Sequence, residues 1–173
     1  PTDIFWTPVP ATAPPRSLRA LLKTPASTTS LGDSLLGAPP LDDAGKWMVF
    51  ESKARLTSHP ASPFRQIYLR GLDDSAPILV SAGRDGAPAN AHSFAPSISP
   101  SGNAVAFFSG ASNLADADMN TNSADLFLHD RLTGEIELVN AGLPNSPPPF
   151  QGVRPSSVAL SADASKMVFL AHI

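Results

Sequence analysis

The stretch that decides the fold is Ser99-Pro-Ser-Gly-Asn-Ala-Val-Ala-Phe-Phe-Ser109. Residues 100–103 have the composition of a turn, and residues 104–108 are apolar at every position, as in a strand that is covered on both faces. The pattern recurs as Asp43-Ala-Gly-Lys-Trp-Met-Val-Phe50 and as Ala162-Asp-Ala-Ser-Lys-Met-Val-Phe169. A turn and a buried strand that recur at nearly equal intervals indicate a repeat architecture.

A second series recurs at nearly the same intervals. Its members are Asp3-Ile-Phe-Trp6, Gln66-Ile-Tyr-Leu69 and Asp125-Leu-Phe-Leu128. Ile4, Ile67 and Leu126 mark equivalent positions in the three copies. Because the two series are independent, we interpret the chain as a true repeat with a period of about sixty residues.

One copy, residues 94–140, shows the content of a complete repeat. We predict strands over residues 94–99, 104–108, 125–130 and 135–139. Residues 131–134 join the last two strands, and the final glycine of that turn can adopt the positive φ that a hairpin turn requires. Four antiparallel strands, the inner ones apolar on both faces, predict an all-β fold whose unit is a propeller blade.

The predicted domain organisation is a single partial β-propeller, residues 1–173. It consists of a half blade (3–24), two complete blades (38–81 and 94–140) and a second half blade (157–171). These segments supply about three blades' worth of strands, whereas propellers close with about four to eight blades. We therefore expect other chain segments to complete the ring. The absence of an initial Met and the apolar final residues also suggest that both ends are cut.

Several motifs resemble those of one family. They are Ser112-Asn-Leu114, Asp118-Met-Asn120 and Asp125-Leu-Phe-Leu-His-Asp-Arg-Leu-Thr-Gly134, which follow the turn and apolar strand quoted above. Together they resemble the TolB-type (WD-like) β-propeller repeat of exported bacterial proteins. The resemblance implies an exported protein, periplasmic or extracellular. The last copy departs from the pattern, with Ala164 where glycine is usual.

Composition excludes several classes of function. The formal net charge is −3, whereas nucleic-acid binding needs a basic surface. There is no cysteine, hence no disulfide, thiolate metal site or cysteine nucleophile. The longest apolar run, residues 104–108, is far shorter than the ~20 residues that span a bilayer. We expect no nucleic-acid partner and no membrane span in these residues.

One loop has the pattern of a calcium site. Oxygen ligands alternate along it, as they do in calcium loops. The candidate ligands are Asp116, Asp118, Asn120 and Asn122. The loop is not an EF-hand, because Thr121 and Phe127 stand where that motif has glycine and glutamate. The alternative is a structural loop, since Asp and Asn side chains also stabilise tight turns. Calcium is the one candidate cofactor.

The aromatic repeat positions are predicted to form the core. Phe50, Phe107 and Phe169 should occupy equivalent buried positions on the second strand of successive blades, and Trp47 should belong to the same core. His129, at a strand end beside Asp130, is predicted to lie at a surface or blade edge.

No catalytic pattern accompanies these features. The sequence contains neither H-E-x-x-H nor G-x-S-x-G. We predict a non-catalytic structural or protein-binding subunit of a larger exported assembly. Its partners would be other subunits, further blades of the same protein, or a second copy in a head-to-tail homodimer. The alternative is a fragment of a propeller-type hydrolase or lyase that acts on glycan or peptide.

Overall fold

The structure is a computed structural model that describes residues 5–6, 16–17, 34–73, 75–116, 124–139 and 158–169. All regular elements of the described residues are strands, and none is a helix long and apolar enough to cross a membrane. The strands are β1 (Phe5–Trp6), β2 (Arg16–Ser17), β3 (Leu35–Leu41), β4 (Trp47–Ser52), β5 (Gln66–Gly71), β6 (Ile78–Leu79), β7 (Ser93–Ile98), β8 (Ala104–Ser109), β9 (Asp125–Asp130), β10 (Ile136–Leu138), β11 (Val158–Leu160) and β12 (Met167–Phe169).

The strands form antiparallel sheets in simple chain order. One four-stranded sheet has the order β3-β4-β5-β6, and a second has the order β7-β8-β9-β10. The pairs β1-β2 and β11-β12 form two-stranded sheets. Sequential four-stranded antiparallel sheets are the blades of a propeller. The predicted fold class, a partial all-β propeller, is confirmed.

The strand limits differ in detail from the sequence-based boundaries. The first complete blade begins at Leu35 rather than at residue 38. Within the predicted half blade 3–24, the strand that pairs with β1 is Arg16–Ser17. Short edge strands have weak periodicity, so their limits are the least predictable.

Phe50 and Phe107 occupy the same register position in their blades. Phe50 pairs across the sheet with Tyr68, and Phe107 pairs with Phe127. The two ring pairs are nearly identical, with centroids 5.8 and 5.7 Å apart and interplanar angles of 25° and 22°. Stacked cross-strand aromatics stabilise neighbouring strands. The interval between these two phenylalanines is therefore the structural period.

The blades pack face to face through apolar side chains. Val49, Ile67 and Leu69 of the first complete blade share one buried cluster with residues of the second. The second blade contributes Phe107 and Phe127 to it, both fully buried. Burial of this kind is the main favourable term in folding.

The second blade's other face packs against the following half blade. Ala106, Phe108 and Leu126 form a buried cluster with Val158, and Phe169 packs against that cluster while remaining partly exposed. Phe107 and Phe169 thus both face the preceding blade. The buried neighbours of Phe50 belong to its own blade in the part of the chain that the structure describes.

The turn before the second strand has the same construction in three copies. The side-chain oxygen of Asp42, Ser99 or Ser161 accepts the N–H of the residue five positions on. Three residues after that acceptor the backbone has a positive φ, at Gly45, Gly102 and Ala164. The last copy keeps the left-handed conformation without glycine, which costs an alanine roughly 1 kcal/mol.

Candidate functional site

A buried carboxylate joins the two complete blades. Glu51 ends the apolar part of β4, and its side chain is only 6% exposed. One oxygen accepts a hydrogen bond from Nη1 of Arg65 at 2.8 Å, and the other accepts the N–H of Ala95 in the next blade at 3.1 Å. Buried charges are tolerated only when paired in this way. Glu51 is therefore engaged in blade packing.

The loop that precedes β5 continues this contact between the blades. The backbone N–H of Arg65 donates to Nδ1 of His92 at 3.0 Å. The carbonyl oxygen of Arg65 accepts the N–H of Ser93 at 2.9 Å. The ring of His92 also meets the ring of Phe64 edge to face. The backbone N–H and the carbonyl oxygen of Arg65 thus both bind the second blade and hold it in register with the first.

The guanidinium of Arg131 lies over the ring of Trp47. The Arg131 carbon Cζ lies 4.6 Å from the ring centroid, a cation–π distance. Arg131 also donates from Nε to the carbonyl of Gly102 at 2.7 Å and from Nη2 to Asn103 at 2.8 Å. Trp47 is half buried against the inter-blade cluster. Trp47 therefore packs against the inter-blade cluster and also joins the two blades through Arg131.

The Ser-Asn-Leu loop of the repeat docks on the preceding blade. Asn90 donates from Nδ2 to Ser112 and accepts the N–H of the same residue, both at 3.0 Å. Asn113 donates to the carbonyl of Pro88 at 3.1 Å, and its own Oδ1 accepts the N–H of Asn90 at 3.0 Å. Leu114 is buried beneath them. The motif therefore fastens one blade to the next.

His129 is buried, which corrects the prediction of a surface or blade-edge residue. It is only 5% exposed, on β9 opposite Val105. Burial lowers the pKa of His129, and the charge of neighbouring Asp130 opposes this only in part. Arg70 holds the corresponding register position of the first blade and is also buried. Aligning residues 66–70 with residues 125–129 in the sequence shows that Arg70 and His129 correspond.

An open cleft lies at the outer rim between the two complete blades. It measures about 960 Å³, within the size range of ligand-binding clefts. One wall is the segment 82–86 that follows β6, and the other is the hairpin of β9 and β10. Leu114 and Asp116, at the end of the Ser-Asn-Leu loop, also line it.

Of the predicted calcium ligands, the structure describes one. Asp116 is exposed and forms an ion pair with Nη1 of Arg84. Asp118, Asn120 and Asn122 lie outside the described residues, so the calcium site stays a prediction. Among the described residues no three His, Asp or Glu side chains are grouped to hold a metal ion.

The calcium hypothesis makes a thermal prediction. An ion that binds only the native state raises the melting temperature, so chelation would lower it if the loop holds calcium. We expect equal melting temperatures in EDTA and in millimolar calcium, because Asp and Asn side chains also stabilise tight loops without an ion. Scanning calorimetry of the chain and of the Asp118→Asn variant measures this. A melting temperature that rises with calcium in the original chain alone would establish the site.

The chain is similar to two solved structures. A TolB structure from Agrobacterium tumefaciens is 20% identical, with a TM-score of 0.46 over 79% of this chain and 40% of that one. TolB from Acinetobacter baumannii is 14% identical, with a TM-score of 0.48 over 98% of this chain and 43% of that one. The chain thus spans less than half the length of either structure. No protein-family profile and no curated protein matches the chain.

Proposed function

We propose that the chain is part of a non-catalytic, protein-binding β-propeller that works inside a larger exported assembly. The proposal that the protein is exported rests on the resemblance of its repeat motifs to those of exported bacterial propellers. The observation that carries the assembly role is an apolar position that is covered in two blades and open in the next.

The open position is Val168. By register it corresponds to Val49 and Ala106, each of which faces the following blade and is 0% exposed. Val168 is 73% exposed. In the two complete blades, the apolar side chain at this repeat position is covered by the following blade. A further blade is the matching partner, because blades cover this position in the other two copies.

The buried polar groups support a structural rather than a chemical role. Glu51 and Arg65 pair with each other, and Gln66 accepts a hydrogen bond from Ser81 at 2.7 Å. Ser93 donates to Ser109 across the second blade at 2.9 Å. Catalytic groups need to face substrate, whereas these groups face one another. Their arrangement fixes strands within each blade and, through Glu51 and Ala95, one blade against the next.

Two arrangements would cover Val168. A head-to-tail homodimer would bring together about six blades' worth of strands, a normal ring size. Alternatively, further residues of the same protein, or another subunit, supply the missing blades. We favour the second arrangement, because propellers are mostly encoded in one chain.

Intact mass and sedimentation of the protein from its own cells test the proposal. A mass above 18.0 kDa, or a chain of that mass inside a larger complex, supports it, and a complex of two identical chains selects the homodimer. A chain of that mass that sediments alone as a stable monomer overturns the assembly role.

A pair of variants tests whether Val168 is the covered position. We expect Val168→Asp to dissociate the assembly, or to destabilise it by about 2 kcal/mol or more, since it buries a charge without a partner. Leu132→Asp is the matched control, because Leu132 is 67% exposed at the turn after β9. Equal behaviour of the two variants in sedimentation and thermal melting would contradict the proposed interface.

A further inference from the structure

In the described part of the chain, strand β10 has an unpaired edge beside the rim cleft. It is the outermost strand of its sheet in the described part of the chain. Val139 donates to Leu126, and Asp130 donates to the carbonyl of Glu135. In an antiparallel pair such hydrogen-bonded positions alternate with positions whose N–H and C=O groups point away from the partner strand. The N–H and C=O groups of Ile136 and Leu138 therefore point away from β9, toward the open edge.

The side chains of β10 alternate between the two faces of the sheet. Ile136 and Leu138 pack against the inter-blade cluster and are half buried. They line the cleft together with the buried Leu114. Glu137, between them, is exposed, and so is Glu135 before them. A strand that paired with β10 would thus meet apolar and acidic side chains in alternation.

The residues around β10 and the cleft carry a net negative charge, with Glu135 and Glu137 on the face of β10 opposite Ile136 and Leu138. Among the described residues the lining of the cleft includes Asp116, Asp130, Glu135 and Glu137 against a single guanidinium, that of Arg84. Arg84 is engaged with Asp116, and Asp130 accepts the N–H groups of Leu132 and Thr133 within the turn. Within the described ranges no ion pair engages Glu135 or Glu137. Both carboxylates are exposed, so a basic partner that paired with β10 would lie beside them.

We propose that the cleft binds an extended peptide segment with alternating basic and apolar residues, which adds to β10 as a fifth strand. The segment's backbone pairs with Ile136 and Leu138, its basic side chains lie beside Glu135 and Glu137, and its apolar side chains enter the cleft. Main-chain pairing supplies affinity and alternate side chains supply specificity in this mode of recognition. The inference rests on the protein-binding role proposed above and names the class of ligand.

Fluorescence anisotropy with two labelled peptides tests the charge requirement. We expect the protein to bind Thr-Lys-Val-Lys-Val-Lys-Thr and not the same peptide with glutamate in place of lysine. The double variant Glu135→Gln with Glu137→Gln should weaken binding about tenfold, the effect of losing two cross-strand charge pairs. Asp43→Asn, which removes an exposed carboxylate outside the cleft, should leave the affinity unchanged.

Backbone methylation of the basic peptide tests strand addition. Methylating one set of alternate amide nitrogens should abolish binding, because those N–H groups pair with β10, while methylating the other set should leave it unchanged. Equal binding of both methylated peptides, or of the acidic peptide, overturns the inference, and so does no binding of the basic peptide. If the assembly is found but the original chain does not bind the basic peptide, the proposed function stands and only this inference fails.

Discussion

Replacing Phe107 by alanine is expected to lower the free energy of unfolding by about 3–5 kcal/mol, the range for a fully buried phenylalanine. The ring is 0% exposed, stacks on Phe127 and belongs to the cluster between two blades. Its loss would leave a cavity where Val49 and Ile67 of the neighbouring blade make contact. Urea denaturation of the original and variant chains measures the difference.

Two other phenylalanines serve as comparisons. Phe169 holds the position equivalent to Phe107 but is only partly buried, so Phe169→Ala should cost less. Phe64 is also partly exposed, and its ring meets the ring of His92 edge to face. We expect Phe64→Ala to cost under half as much as Phe107→Ala. A loss of less than about 1 kcal/mol at Phe107 would show that the repeat alignment is wrong, since removing a buried ring costs more than that.

The blade period could be predicted from sequence because it is set by apolar residues that every copy needs. A strand between two layers requires apolar side chains at each position, and this requirement recurs wherever the strand recurs. Phe50 and Phe107 keep their register for that reason. The turns were predictable as well, since Gly45 and Gly102 occupy positions with positive φ. Ala164 adopts the same conformation, which shows that the surrounding turn dictates it.

The contacts between blades could not be predicted in the same way. Glu51 stands where the second blade has Phe108, and nothing in the sequence indicates that its partners are Arg65 and the N–H of Ala95. The cation–π contact of Trp47 with Arg131 joins residues of different blades. Such pairs depend on the angle at which neighbouring sheets pack, and no local pattern encodes that angle.

The rim cleft could not be predicted from the sequence for a related reason. Its walls come from segment 82–86 and from β10, which are far apart in the chain and become neighbours only when two blades pack. The alternation of Glu135, Ile136, Glu137 and Leu138 is an ordinary strand pattern. Only the hydrogen-bond phase of the sheet distinguishes the open edge from the paired one.

The second large effect is expected at Glu51. Glu51→Ala should lower the free energy of unfolding by about 2–4 kcal/mol, because it leaves the Arg65 guanidinium and the Ala95 N–H without their acceptor in a largely dehydrated interface. Glu51→Gln keeps an acceptor of the same size for Ala95 and removes only the charge. We therefore expect the glutamine variant to lose about half as much. Chemical denaturation of the two variants separates the hydrogen bond from the ion pair.

The exposed ion pair of Arg84 and Asp116 is the matched control for Glu51. Its side chains are 74% and 79% exposed, against 21% and 6% for Arg65 and Glu51. Exposed pairs contribute about 0–1 kcal/mol, so Arg84→Ala should change stability little. If Glu51→Ala proved equally mild, the carboxylate would not hold the blades together. The double variant Glu51→Ala with Arg65→Ala should recover part of the loss, because it removes the unpaired charge that makes the single variant costly.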